Sequence, residues 1–241
     1  MIIVEVGPEK RRNNIHQTLL THHSEYFCGA LRWLRRDALD FVISLKDIEP
    51  GIFNVSVNWL YTQRLPDWED WASVTEIDEA HTDDQILHQM VKVCVFGDRF
   101  LAPAFRKAAN NFTVDYLYIG AYPPWYDTII YAFDNLRENS PILRLLVDMH
   151  CRSASSNACA HPQKQRQLPL AFFIRCMDKY SRKTHDVSQG AGTPYWWGQI
   201  PCPCRYHEHE SVDERKRCRL QLKVSRDWGM EYCEESSDEE E

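Results

Sequence analysis

Apolar positions recur along this chain at two periods, and the changes from one to the other mark out its elements. Ile2-Ile3-Val4-Glu5-Val6-Gly7 reads as a strand that runs into a polar turn, Pro8 to Asn14, with a returning strand around Ile15, so a hairpin opens the chain. Thr18 to His22 makes one helical turn carrying Leu19 and Leu20, and Ser24 is a natural N-cap for a second helix that reaches Leu34. Phe27, Ala30, Leu31 and Leu34 take its core positions at i, i+3, i+4 and i+7. Phe41, Val42, Ile43 and Leu45 form an apolar run of strand length, ended by Lys46-Asp47, and a run that apolar is expected to be buried on both faces. Pro50 suits a first helical position, because its missing N–H costs nothing there and its φ is already helical, which starts a helix near Glu49. Phe53, Val57, Leu60 and Tyr61 share one face of that helix. Ile52, Val55 and Trp59 widen the apolar arc and leave Asn54 and Asn58 as a thin polar stripe, so the helix is interior or presents a binding face.

After Leu65 comes an acidic stretch, Pro66 to Asp84, with Trp68 and Trp71, whose composition reads as an exposed loop pinned by its tryptophans. Thr82-x-x-Gln85 has capping-box spacing and predicts a helix to Leu101, with an apolar face of Leu87, Met90, Cys94 and Leu101 widened by Ile86, Val93 and Phe100. Pro103 starts the next helix, in which Phe105, Ala108, Ala109, Phe112 and Tyr116 keep helical spacing. Trp125, Ile129, Phe133 and Leu136 suit a further helix, and Ser140-Pro141 begins another that runs to His150 with Ile142, Leu145, Leu146 and Met149 on its apolar face. Residues 152–167 lose periodicity and read as a mobile loop, and helical spacing returns from Leu168 to Lys183 through Phe172, Phe173, Cys176, Met177 and Tyr180.

Length allows one full-sized domain with an extension, or two small domains. The formal net charge of −7 argues against general phosphate-backbone binding, so no nucleic-acid partner is expected. No apolar run approaches the roughly 20 residues that span a bilayer, and Met1-Ile2-Ile3-Val4-Glu5 lacks the basic start of a signal peptide, so the reading is cytoplasmic or nuclear with no membrane partner. Nine cysteines without an export signal point to buried free thiols or metal ligation rather than disulfides.

The pieces in order carry a resemblance. Ile3-x-Val-x-Val-Gly7 is followed by Asn13-x-Ile15-His16-Gln17 and Leu19-Leu20-x-x-x-Ser24-x-Tyr26-Phe27. Then come Phe53 with Trp59-Leu60-Tyr61-Thr62, and Gly97-Asp98-Arg99-Phe100-Leu101-Ala102-Pro103. This array resembles the BTB/POZ family of the filamentous-fungal type over about residues 1–119. The remainder is similar to that family's trailing region in Ser140-Pro141-x-Leu143-Arg144-x-Leu146-Val147-Asp148, Leu168-Pro169 and Cys204-Arg205-Tyr206-His207-Glu208-His209. The resemblance implies an α+β fold, a helical cluster capped by a small β-sheet. A BTB/POZ domain over 1–119 would be followed by a helical extension over 120–185 and a largely irregular tail over 186–241. It also implies a non-enzymatic module that self-associates or binds partner proteins. Self-association by strand swapping is not expected, because so little chain precedes the first strand. The alternative role is substrate adaptor for a cullin-based ubiquitin ligase. The positions corresponding to the hydrophobic-x-Glu pattern of cullin-binding members are Phe53-Asn54-Val55, and Gly51 to Thr62 hold no acid.

Arginine and aromatic residues at an edge dominate interface energetics. They nominate Arg32, Arg35 and Arg36 on the early helix, and Tyr61 and Arg64 at the end of the central one, where Phe53, Asn54 and Asn58 join as binding-face candidates. Adjacent His22-His23 points to two faces of a helix and reads as partly buried or solvated imidazoles rather than a shared metal site. Cys202-Pro-Cys204-x-x-His207-x-His209 contains a complete zinc donor set, crowded into eight positions, and Cys151, Cys159 and His161 could complete a less crowded site with some of them. The competing reading is an extended docking segment with free thiols and no cofactor. Neither Gly-x-Ser-x-Gly, a phosphate loop nor His-Glu-x-x-His is present, so no catalytic residue is assigned and no enzyme is expected. Arg215-Lys216-Arg217-Cys218-Arg219 is a candidate import signal. Ser236 and Ser237, each followed by acids, suit an acidophilic kinase.

Overall fold

Alternation of apolar and polar residues produces a small sheet at the start of the chain. The computed structural model describes residues 1–34, 42–78, 82–120, 124–153, 162–188 and 202–224. β1 (Ile2–Val6) and β2 (Arg11–Ile15) pair antiparallel, Ile2 opposite Ile15 and Val6 opposite Arg11. Gly7 turns the hairpin with φ 75°, a conformation that glycine adopts without a Cβ penalty. β3 (Val42–Leu45) lies parallel to β1, in the order β2-β1-β3. Ile43 and Leu45 are buried and Ser44 is exposed, so β3 covers one face only, contrary to the reading of a strand buried on both. It forms an edge of a three-stranded sheet, where alternation is the ordinary outcome.

The helices follow their caps. α1 (Gln17–His23) is longer than the single turn expected, and α2 (Glu25–Leu34) begins at Ser24, whose Oγ accepts the Phe27 N–H at 3.1 Å. α3 (Pro50–Thr62) has its proline in the first turn and ends at Gln63 in a left-handed conformation. α5 (Asp83–Arg99) carries the reciprocal capping box of Thr82 and Gln85, and α6 (Pro103–Gly120) follows after a sharp corner.

The stretch read as an exposed loop contains a helix, α4 (Trp68–Thr75), with Trp71 fully buried. Trp68 and Trp71, one turn apart, stack on Phe112 at 4.1 and 5.2 Å between ring centroids. Glu69 and Asp70 sit in the first turn, where acids favour a helix. The tryptophans pin the stretch as expected, but its polar composition hid the helix that carries both on one face. Gly51 lets α3 and α4 meet closely, since a Cβ there would stand 1.9 Å from the Thr75 carbonyl oxygen.

Two compact units result, Met1–Thr113 with Asp134–Leu136, and Val114–Phe133 with Arg137 onward. The break falls inside α6 rather than at 119/120. The first unit is bound by an aromatic chain. Phe27 stacks on Phe100 at 5.3 Å, Phe100 meets Phe96 at 4.3 Å, and Phe96 meets Phe53 and Phe105, which in turn touches Trp59. The second unit contains α8 (Pro141–Ser153), α9 (Pro162–Gln165), α10 (Leu170–Ser188) and most of α7 (Tyr126–Asn135). Its core gathers Ile129, Val147, Cys151, Leu168, Phe172 and Cys176. The residues read as a mobile loop thus include the short α9, while residues 154–161 lie outside those described.

The tail is less irregular than its charge blocks implied. A 3-10 turn over Pro203–Arg205 leads to α11 (Val212–Val224). Ser211 Oγ accepts the Glu214 N–H at 3.1 Å and Asp213 and Glu214 occupy the first turn, so the helix is started by capping chemistry rather than by an apolar periodicity. The α+β class holds for the described residues, as a helical assembly with one small sheet. No helix among them is long and apolar enough to cross a membrane.

Candidate metal centre

Four sulfur and imidazole side chains converge in the second unit. The 3-10 turn places Cys204 in the interior, where its Sγ lies 3.1 Å from His209 Nε2 and 3.6 Å from the Arg215 carbonyl oxygen. α11 turns Cys218 back toward the same point, while Arg215, Lys216, Arg217 and Arg219 remain exposed. Atoms of Cys204, His209 and Cys218 lie within 4.8 Å of one another. His207 approaches from the connecting segment, with Nδ1 3.2 Å from Cys218 Sγ and Nε2 3.0 Å from Asp115 Oδ1 on α6. The buried His207 ring is therefore held between a thiol and a carboxylate.

Burial and the neighbouring His207 hold the His209 imidazole below its ordinary range, which keeps a lone pair available. The Cys218 thiol is pushed up to about 12 by burial, with the adjacent Cys204 adding to the effect. Cys218, His207 and Asp115 share the atom order of a thiol–imidazole–carboxylate relay, but an activated nucleophile needs its thiol pKa depressed. Here it is raised, and a second thiol and a second imidazole crowd the same point.

A neighbouring contact locks the segment. Tyr206 is fully buried, its hydroxyl donates to Asp148 on α8, and Lys179 on α10 forms an ion pair with the same carboxylate. Burial first, then the Asp148 charge, keeps the phenol protonated far above its ordinary range, so it remains a donor. The Arg144 guanidinium lies 5.7 Å from the Tyr206 ring centroid and donates to the Arg205 carbonyl at 3.0 Å.

The cluster differs from the set read in the sequence. Cys204, His207 and His209 are in it, but Cys202 is disulfide-bonded and its sulfur is not offered as a ligand. That bond also departs from the expectation of free thiols, which Cys28, Cys94, Cys151, Cys176, Cys204 and Cys218 meet. Cys151 packs with Cys176 in the core of the unit, and Cys159 and His161 lie outside the described residues. Sequence reasoning missed Cys218, absorbed into a basic block, and Asp115, distant in the chain. A cysteine interrupting four basic residues was the available signal for the first.

The partner-binding candidates separate by burial. Phe53 is fully buried against Phe96, which makes it a core residue rather than an interface residue. Val55 is buried with it, and Asn54 donates to the Val74 carbonyl at 3.2 Å and to Glu76 at 3.0 Å, so Phe53-Asn54-Val55 is spent on packing and internal hydrogen bonds. Asn58 is half-buried, and its carbonyl accepts from Thr62. Arg32, Tyr61 and Arg64 are exposed, and the Tyr61 hydroxyl lies 2.9 Å from His16 Nδ1. The rings of His22 and His23 meet edge to face at 4.6 Å, and His23 also contacts Trp59. Arg35, Arg36, Ser236 and Ser237 lie outside the described residues.

Set against family models, curated proteins and solved structures, the chain matches none of them.

Proposed function

We propose that this protein is a non-enzymatic protein–protein interaction module of the BTB/POZ type, which binds partner proteins or associates with itself. The order of its first unit supports that reading: a hairpin, two helices, a strand parallel to the first, then helices packed on one another. So does the burial of Phe27, Phe53, Trp59 and Phe100, which are among the positions that carry the resemblance.

The observation that carries the functional part is unspent apolar surface on α10. Leu170, Phe173, Ile174 and Met177 recur at helical spacing and are all exposed, with Leu170 at 74% and Met177 at 71%. On the other side of the helix Phe172 and Cys176 fill the core. Contiguous exposed apolar residues on a folded unit mark interaction sites, and a helical stripe of this kind suits a helix-in-groove contact. Tyr26, Tyr61 and Leu101 are exposed on the first unit as well.

The test compares the full chain with Ile174→Asp/Met177→Asp, by light scattering across a concentration series and by quantitative affinity capture. Exposed substitutions shift stability by only about 0.5 kcal/mol, so the melting temperature should hold while self-association or capture of specific partners falls at least about tenfold, a loss of about 1.4 kcal/mol. A wild-type chain that stays monomeric, with the same captured set for both forms, would sink the reading.

A further inference from the structure

We propose that Cys204, His207, His209 and Cys218 bind one structural zinc ion, which clamps the 202–224 segment into the second unit. Two thiols and two imidazoles form the donor set of a closed tetrahedral zinc site, and oxygen-preferring cations such as magnesium or calcium are poorly served by it. Ligand atoms around zinc, at about 2.3 Å for sulfur and about 2.0 Å for nitrogen, stand roughly 3.5 Å from one another. The structure brings Cys204 Sγ and His209 Nε2 to 3.1 Å, and His207 Nδ1 and Cys218 Sγ to 3.2 Å. Cys204, His209 and Cys218 already lie within 4.8 Å of one another, and His207, which stands outside that group but touches Cys218, would close in as the fourth donor when the other three part to admit the ion.

Three further features point the same way. First, the donors come from a 3-10 turn, the segment after it and a helix. Replacing Cys202 with Cys218 relieves the crowding of a Cys-x-Cys pair beside a His-x-His pair. Second, His207 turns Nδ1 toward the thiol and Nε2 onto the Asp115 carboxylate, the outer partner that fixes the tautomer and orientation of a metal-bound imidazole. Third, among the described side chains of α11, Val212, Leu220 and four basic residues are exposed, while Cys218 turns toward the cluster. Ligation through Cys218 would anchor such a helix, since metal binding is coupled to folding in small segments of this type.

Binding displaces protons only. Zinc(II) takes two thiolates and two neutral imidazoles, the two thiol protons pass to solvent, and no redox step is involved. The bond from the Cys204 thiol to the Arg215 carbonyl gives way to the metal bond.

The experiment uses the full chain purified without chelator. Metal content is measured as isolated and after incubation with a slight excess of zinc followed by buffer exchange. Expected is about one zinc per chain, unchanged in Cys202→Ser and reduced at least tenfold in Cys204→Ser and Cys218→Ser. Asp115→Asn, which keeps all four donors, should weaken zinc affinity about 10- to 100-fold in competition with a chromophoric chelator. Because a cysteine variant can lose zinc by misfolding, wild-type protein is also titrated with cobalt(II) under reducing conditions. Tetrahedral bands with thiolate charge transfer from two sulfurs support the site, and an octahedral spectrum overturns it. A wild-type chain that retains less than a tenth of an equivalent of zinc after reconstitution also overturns it, as does a Cys218→Ser chain that keeps the full equivalent.

Discussion

Tyr206 donates its hydroxyl to the Asp148 carboxylate, which also receives the Lys179 ammonium, so a residue of the tail is tied to the two helices that line the second unit's core. Tyr206→Ala should destabilise that unit by about 3–5 kcal/mol, as removing a buried ring does. Tyr206→Phe keeps the ring and the Arg144 stacking and should cost only about 1–3 kcal/mol, because Asp148 retains Lys179. Denaturant unfolding followed by hydrogen exchange over residues 202–224 measures both. Equal effects would show that the hydroxyl, not the ring, does the anchoring.

Ser24 performs two tasks in the first unit. Its Oγ accepts the Phe27 N–H that starts α2, and it donates to the Phe100 carbonyl at 2.5 Å. Ser24→Ala loses the cap and orphans a buried carbonyl, for a combined loss of about 2 kcal/mol. Ser24→Thr, which keeps both bonds, should recover most of it. Thermal melts of the two variants read the difference directly.

Close approach makes Gly51 irreplaceable by even the smallest side chain. A Cβ there meets the backbone of Thr75, which has no flexible end to swing aside. Gly51→Ala should therefore destabilise by about 1–3 kcal/mol despite alanine's better helix propensity. A melting temperature at or above the wild-type value would mean that α4 shifts freely on α3.

Acid sensitivity should arise in part at His150. Burial against Phe172 and Tyr126 holds its imidazole below the ordinary value of 6.5, so it is neutral when folded. The unfolded chain binds the extra proton. Stability from this residue is thus complete above 6.5 and is lost as pH falls through the depressed folded value. His150→Phe preserves the aromatic contacts and should flatten the decline of unfolding free energy on acidification below 6.5. An unchanged slope would assign the decline to other groups, among them His23, which burial and His22 also depress.

Local chemistry made much of this protein legible in its sequence. The hairpin, the proline start of α3, the capping box of α5 and the Ser24 cap were all readable, because each is settled by residues within a few positions of one another. What depended on distant partners was not. Trp68 and Trp71 were legible as anchors of the acidic stretch, but the helix that carries them and their partner Phe112 were not, and Phe53 became core only once Phe96 covered it. The donor cluster shows the division most clearly. Sequence spacing alone offered Cys202, Cys204, His207 and His209, the donors nearest one another along the chain. Tertiary structure engaged Cys202 in a disulfide, folded α11 back to present Cys218, and brought Asp115 from α6 to hold His207. A metal ligand set is chosen by convergence in space, which a helix can reverse within a dozen residues and which no linear spacing records.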